Sequence, residues 1–157
     1  MKNILIVSAV AILFYAGAQV CGCGSCSKAN TPSSVIDSNE GINFISGTWS
    51  EAVSKSKAEN KPIFLDVSTS WCGWCKVLKR KTFTDKEAAT YFNANFINVE
   101  IDAEQGEGKY LAEKYQVNSY PTLIIIDNNE KVIQYSAGYL DAKGLISFGK
   151  SAKKNPN

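Results

Sequence analysis

Cys72 and Cys75 stand three positions apart, with Gly73 and Trp74 between them. Two thiols at i and i+3, set between a strand and a helix, form a dithiol that opens and closes locally. The start of a helix leaves backbone N–H groups unsatisfied, and these favour a thiolate at Cys72. The size of the effect matters: a thiol of pKa about 8.5 is only about 3% ionised at pH 7, whereas one lowered to about 7 is half ionised. Cys75 lies one turn further in, placed to attack Cys72 once that residue is joined to another sulfur. Two blander fates stay open beside this one. A zinc half-site lacks the second Cys pair or histidine that tetrahedral sites use, and a static bridge gains most when it closes a longer loop than this.

Composition narrows the chemistry. Among 157 residues there are five cysteines and no histidine, which excludes a Ser-His-Asp triad, a Cys-His protease pair and His-ligated zinc or haem. Seventeen basic against fifteen acidic residues give a formal +2, too weak a field to argue for nucleic acid or an acidic membrane surface. Lys76, Lys79, Arg80 and Lys81 cluster just after the cysteines; they read as a solvated helix face, with Lys76 modestly favouring the thiolate. Charged residues at 20% and apolar ones at 45% describe a soluble globular protein. The odd cysteine count requires that at least one has a fate other than an internal disulfide.

The elements that must position the pair follow from hydrophobic periodicity. Ile63-Phe64-Leu65-Asp66-Val67, entered through Pro62, is a compact apolar run typical of a strand covered on both faces. A helical segment follows the cysteines from Lys76 to about Thr82, with Val77 and Leu78 inward, and Thr84-Asp85-Lys86-Glu87 starts another through Tyr91 and Phe92. Upstream, Ile42 to Ile45 is a short strand candidate, and Thr48 with Glu51 forms a capping box for a helix carrying Trp49, Ala52 and Val53 on one face. Downstream, the pattern predicts a strand over Phe96–Ile101 and a helix over Gly108–Tyr115. It then predicts a hairpin of Thr122–Ile126 with Lys131–Tyr135 about the turn Asp127–Glu130, and a last helix opened by Asp141. The order β-α-β-α-β-α-β-β-α indicates an α/β domain with a mixed central sheet.

Before the domain lies a different kind of sequence. Lys2 followed by the apolar run Ile4–Val20 reads as an export signal, too short for a comfortable bilayer span. Ala16-Gly17-Ala18 suits ordinary cleavage after Ala18, while Val20-Cys21-Gly22-Cys23 is similar to a bacterial lipoprotein signal with Cys23 as the lipidated residue. The expected organisation is a signal peptide over 1–22 and a Ser/Asn/Gly-rich flexible tether over 23–42. The domain then covers 43–152, with a disordered tail over 153–157. Both cleavage readings place the domain outside the cytoplasm, where disulfides are permitted.

Trp71-Cys72-Gly73-Trp74-Cys75-Lys76 resembles the active-site motif of the thioredoxin superfamily, usually WCGPCK, and Tyr120-Pro121-Thr122 resembles its cis-proline loop. The likeness covers roughly residues 43–152. It is strongest to exported bacterial thioredoxin-like proteins with a segment such as Thr82-Phe83-Thr84-Asp85 after the active-site helix, a group that is also similar to the C-terminal domain of the membrane thiol-disulfide interchange reductase. It implies a thioredoxin fold, an α/β sandwich with a mixed sheet flanked by helices. It also implies that Pro121 faces the dithiol and positions substrate backbone.

Asp66, six residues before Cys72, falls where the family places a buried acid. The physical argument is independent: a carboxylate inside Ile63–Val67 is costly to bury, so its pKa rises and it can take the Cys75 proton; the alternative is an edge-strand Asp reaching solvent. Three departures stand out. Trp74 replaces the proline between the cysteines and bears on the redox poise. Asn98 stands where the family has a lysine near the acid, and Tyr120 replaces a small aliphatic residue beside the groove. Trp71, Trp74 and Tyr120, with Gly73, Pro121 and Thr122, are the expected substrate-contacting set. Within it Trp71 divides between core packing and an aromatic rim, whereas Trp74 belongs at the surface.

These readings converge on an exported protein thiol-disulfide oxidoreductase. Cys72 would attack a substrate disulfide, Cys75 resolve the mixed disulfide, and Asp66 assist proton movement, with no metal or organic cofactor. The expected partners are disulfide-containing proteins, a membrane thiol-disulfide reductase as electron donor, and the membrane through a lipid anchor, with no nucleic acid. Gly73-Trp74 lacks the histidine on which the most oxidising family members rely, which favours a reductase. The rivals are an oxidase or isomerase, a reductase of apocytochrome haem-attachment thiols, and a binding lipoprotein that uses the fold without turnover.

Overall fold

The computed structural model describes residues 41–154. The signal peptide, the cleavage sites, Cys21, Cys23, Cys26 and all but the last two residues of the tether lie outside the described residues, as do the final three residues of the tail. In chain order the elements are α1 (Trp49–Glu59), β1 (Ile63–Ser68), α2 (Gly73–Lys81), α3 (Lys86–Asn95), β2 (Ile97–Asp102), α4 (Glu107–Lys114), β3 (Thr122–Ile126), β4 (Val132–Ala137) and α5 (Ala142–Lys154).

Side-chain caps decide several helix starts. Thr48 and Glu51 form the reciprocal box at α1, Glu51 N–H donating to Thr48 Oγ1 at 3.3 Å and Thr48 N–H to Glu51 Oε2 at 2.7 Å. Asp85 accepts from Ala88 N–H at 2.9 Å to start α3, and Asp141 accepts from Gly144 N–H at 2.7 Å ahead of α5. The α2 helix begins three residues earlier than the apolar pattern predicts, because Cys72 itself serves as its N-cap.

The strands form one mixed sheet in the order β2-β1-β3-β4, with β1 parallel to β2 and the other pairs antiparallel. Alternation along β1 sends Ile63, Leu65 and Val67 to one face and Phe64 and Asp66 to the other. The first face packs with Ala52 and Val53 of α1 and Leu111 and Ala112 of α4. Phe64 packs with Leu78 of α2, Phe92 of α3 and Phe148 of α5. Helices therefore cover both faces, and every residue of β1 is buried, as the continuous apolar run requires.

The two ends of the domain also differ from the sequence expectation. Ile42–Ile45 is not a strand of the sheet. Ile42 N–H donates to Phe83 O at 2.7 Å while Ile45 N–H donates to Asn98 O at 2.9 Å, so the segment is divided between two partners and leaves only an isolated bridge, Phe44 to Asn98. Ile42 is buried in the core, so the last two residues assigned to the tether belong to the fold. At the other end α5 continues through Lys154, two residues into the expected tail, with Ala152 buried beneath it. Among the described residues no helix is long and apolar enough to cross a membrane.

Candidate active site

Strand β1 ends at Ser68, and a short turn delivers Cys72 to the first turn of α2. Cys72 and Cys75 are joined as a disulfide, S–S 2.07 Å, with their Cα atoms 5.3 Å apart. Cys75 N–H donates to Cys72 Sγ at 3.1 Å. The sulfur of Cys72 thus occupies the place of a capping oxygen, and the same N–H and the helix dipole would stabilise negative charge there after reduction. Cys72 is 5% exposed and Cys75 1%, so the outer sulfur is the one a partner can reach. Gly73 is exposed, with open space where a Cβ would lie.

Asp66 lies on the central strand β1, flanked by β2 and β3, and is completely buried. It is not an edge residue reaching solvent. Neither carboxyl oxygen has a hydrogen-bond partner. Burial, reinforced by Glu100 and opposed by Lys79, pushes its pKa up to about 7. Asn98, in the place of the family lysine, is also buried and donates to Asn43 O at 3.3 Å and Asn93 Oδ1 at 3.1 Å. The charges on Asp66 come instead from Lys79 of α2 and Glu100 of β2, which form an ion pair at 2.5 Å. Lys79 stands out in the sequence only as one of a basic cluster; Glu100 becomes visible only through its register opposite Asp66.

The aromatic residues divide into two pairs. Trp71 is 64% exposed rather than packed in the core; its ring meets Tyr120 edge-on at 5.9 Å, and its Nε1–H donates to Glu104 Oε1 at 3.0 Å. Trp74, 62% exposed, lies against Tyr139 at 5.6 Å. The three residues expected to form an aromatic rim are thus distributed over two ring contacts, Trp71 with Tyr120 and Trp74 with Tyr139. Tyr139 and Glu104 carry no local sequence signal; both are recruited from distant loops.

The Tyr120–Pro121 peptide is cis. The Trp71–Tyr120 contact sets this loop beside the residue preceding Cys72. Pro121 is buried and its carbonyl accepts from Gly138 N–H at 2.8 Å. Thr122 is fully buried and its hydroxyl donates to Ser119 O at 2.7 Å; its side chain shapes the loop instead of lining the groove. Among the described residues no group of three or more His, Cys, Asp or Glu side chains is placed to hold a metal ion.

The family model Thioredox_DsbH, described as a protein of unknown function, DUF255, matches residues 33–145. The solution structure of a candidate disulphide-isomerase from Bacteroides thetaiotaomicron is 37% identical, with a TM-score of 0.66 over 75% of this chain and 98% of that one. Thiol:disulfide interchange protein DsbD of Yersinia pestis is 29% identical over 94 residues, 58% of this chain and 16% of that protein. Spermatogenesis-associated protein 20 of Rattus norvegicus is 44% identical over 55 residues, 35% of this chain. The match spans only 7% of that protein's length.

Proposed function

The chain belongs to the Thioredox_DsbH family of thioredoxin-like disulfide oxidoreductases, and from that premise we propose that it is an exported reductase of protein disulfides. The observation that carries this reading is the position of Cys72: its sulfur caps α2 and accepts from Cys75 N–H, directly above a buried partner thiol. In the reduced state the Cys72 thiolate attacks one sulfur of a substrate disulfide, forming a Cys72–substrate bond and releasing the other substrate sulfur as a thiolate that takes up a proton. Cys75 then gives its proton to Asp66 and attacks Cys72 Sγ. The mixed disulfide breaks, Cys72–Cys75 re-forms, and the second substrate thiol leaves. Two electrons pass from the dithiol to the substrate, so the pair itself is the redox group.

The exposed flanks Trp71–Tyr120 and Trp74–Tyr139 suit an extended polypeptide with apolar side chains on either side of its cysteine. Regeneration requires a dithiol donor, and the lack of a cytosolic-type glutathione buffer outside the cytoplasm favours a membrane thiol-disulfide reductase in that role. The leader supports export and a lipid anchor at Cys23, with a periplasmic location.

Cys75→Ser in the full chain tests the core of this reading. Mixed disulfides through Cys72 should accumulate and be released by dithiothreitol; an inert Cys72 would indicate a binding protein that uses the fold without turnover. Direction is tested by the reduction potential. Family values run from about −270 mV for thioredoxin to about −120 mV for the strongest oxidant, or about 7 kcal/mol for two electrons. A reductase should lie well below about −180 mV. A higher value would favour the isomerase reading that the name of the Bacteroides relative supports.

A further inference from the structure

The two edges of the sheet are finished differently. On β2 the entering segment lies against the outer side, with Phe44 bridged to Asn98 and Ile45 N–H bonded to Asn98 O, and the strand carries Glu100 and Asp102. On β4 no described segment pairs with the outer side, and Val132–Ala137 contains neither a charged residue nor a proline. Charge, proline and cover are the means by which folds ordinarily close an edge to further strands. The one irregularity of β4 lies near its start and leaves Gln134–Ala137 regular. A single bond sets the phase of the ladder: Gly138 N–H donates to Pro121 O at 2.8 Å. Bonded pairs then recur at every second residue, Ser136 with Leu123 and Gln134 with Ile125. Tyr135 and Ala137 fall between them, so their N–H and C=O groups turn to the open edge, where no described residue bonds them. This edge runs into the site. Two residues beyond Ala137, the ring of Tyr139 lies against Trp74, which stands between the cysteines. Trp74, Ala137, Tyr135 and Val132 are all exposed.

We propose that β4 accepts an added strand and that the substrate supplies it, as an uncharged, extended stretch of the polypeptide whose cysteine is joined to Cys72. The proposal rests on the reading that Cys72 attacks protein disulfides. The occupant follows from continuity: an uncharged path leads from the dithiol across the Trp74–Tyr139 contact and along the edge of β4, about 20 Å over the strand. A chain already bonded to Cys72 is held beside that path at high effective concentration. The outward backbone groups of Tyr135 and Ala137 bond any extended chain whatever its sequence, and the edge offers no charge to pair with a charged one. The substrate class is thereby narrowed to disulfide-bearing chains that are unfolded around the cysteine, since a folded partner has its strands already paired. Tyr135 and Ala137 determine specificity through their backbone and touch no reacting atom.

The test traps the adduct in Cys75→Ser of the full chain, using peptides whose single cysteine carries thionitrobenzoate in disulfide linkage. The Cys72 thiolate attacks the peptide sulfur and expels the coloured nitrobenzoate thiolate, so absorbance reports capture. One peptide has a strand-length run of Thr, Val and Gln on each side of its cysteine; the other has a single residue on each side. Amide hydrogen exchange of each adduct is then followed by NMR. With the long peptide, exchange at Tyr135 and Ala137 should slow by about tenfold or more relative to the short one. N-methylation throughout the long flanks keeps their side chains but blocks strand pairing, and should abolish the protection. Unprotected amides with the long peptide, or protection that survives N-methylation, overturn the proposal and leave the reading of Cys72 intact. Protection of the same two amides in the free protein, with a dimer in sedimentation, would assign the edge to a second copy and also overturn it. If neither peptide is captured at Cys72, the reading falls and the proposal falls with it.

Discussion

Asp66 places an unpartnered carboxyl in the middle of a sheet, and the cost of doing so depends on pH. The unfolded carboxyl ionises near 3.8 and the folded one near 7. Below about pH 4 both states are protonated and the group contributes no difference. Between the two values the unfolded chain releases its proton while the folded chain retains it, so stability falls as pH rises, and above about pH 7 the penalty is constant. Some three pH units correspond to a penalty on the order of 4 kcal/mol. Asp66→Asn should therefore gain stability relative to the native protein as pH rises from 4 to 8, measured by urea unfolding of the oxidised proteins. The amide has its own burial cost, but that cost is the same at every pH, so the change isolates the carboxyl. A pH-independent difference would mean that Asp66 does not titrate in this range. That the fold retains so expensive a group on its central strand accords with the proton transfer proposed for it.

At the scale of elements, two glycines near the site do opposite things. Gly108, in the first turn of α4, has no room: a Cβ would lie 1.9 Å from the carbonyl oxygen of Asp102 at the end of β2. Gly108→Ala must push α4 off the strand, and should destabilise by about 1–3 kcal/mol. Gly73, at the first position of α2, has open space around it, so Gly73→Ala should leave stability unchanged or raise it by up to about 1 kcal/mol. Thermal unfolding of the two oxidised variants separates these outcomes. Equal losses would mean that both helices depend on glycine for backbone freedom rather than for close approach. The capping box of α1 was legible from sequence because Thr48 and Glu51 act within three residues, and the start of α3 was legible in Thr84–Glu87 although its cap, Asp85, was identified only in the structure. The start of α2 was not legible, since a cysteine sulfur does the capping there.

At the scale of the molecule, the described chain forms one unit whose core lies on both faces of the sheet, and the segment entering it is part of that core. Ile42 packs with Phe64 and Phe83, its N–H is bonded to Phe83 O, and Gly41 O accepts from Asn93 Nδ2 at 3.0 Å. A chain beginning at Asp37 should match the full chain in its denaturant midpoint. One beginning at Asn43 should lose about 2 kcal/mol or more, from the buried side chain and its backbone bond together. Equal stability of the two truncations would show that the entering segment adds nothing to the fold.

The chemistry of the Cys72–Cys75 pair, the strand and helix that carry it, the acid in β1 and the mixed α/β architecture were all legible in the sequence. Each depends on residues a few positions apart or on a simple period: i and i+3 for the dithiol, continuous apolar character for a strand covered on both faces. The pairing of Trp74 with Tyr139, the hydrogen bond from Trp71 to Glu104, the inward turn of Thr122 and the placement of Lys79 and Glu100 about Asp66 were decided only by the tertiary structure. These contacts join residues brought together by sheet register and loop path, and a one-dimensional pattern carries no record of which distant side chains share one side of a sheet. Sequence determined the chemistry that the dithiol can perform; the packing of loops and strands determined what surrounds its outer sulfur and which charges face the buried acid.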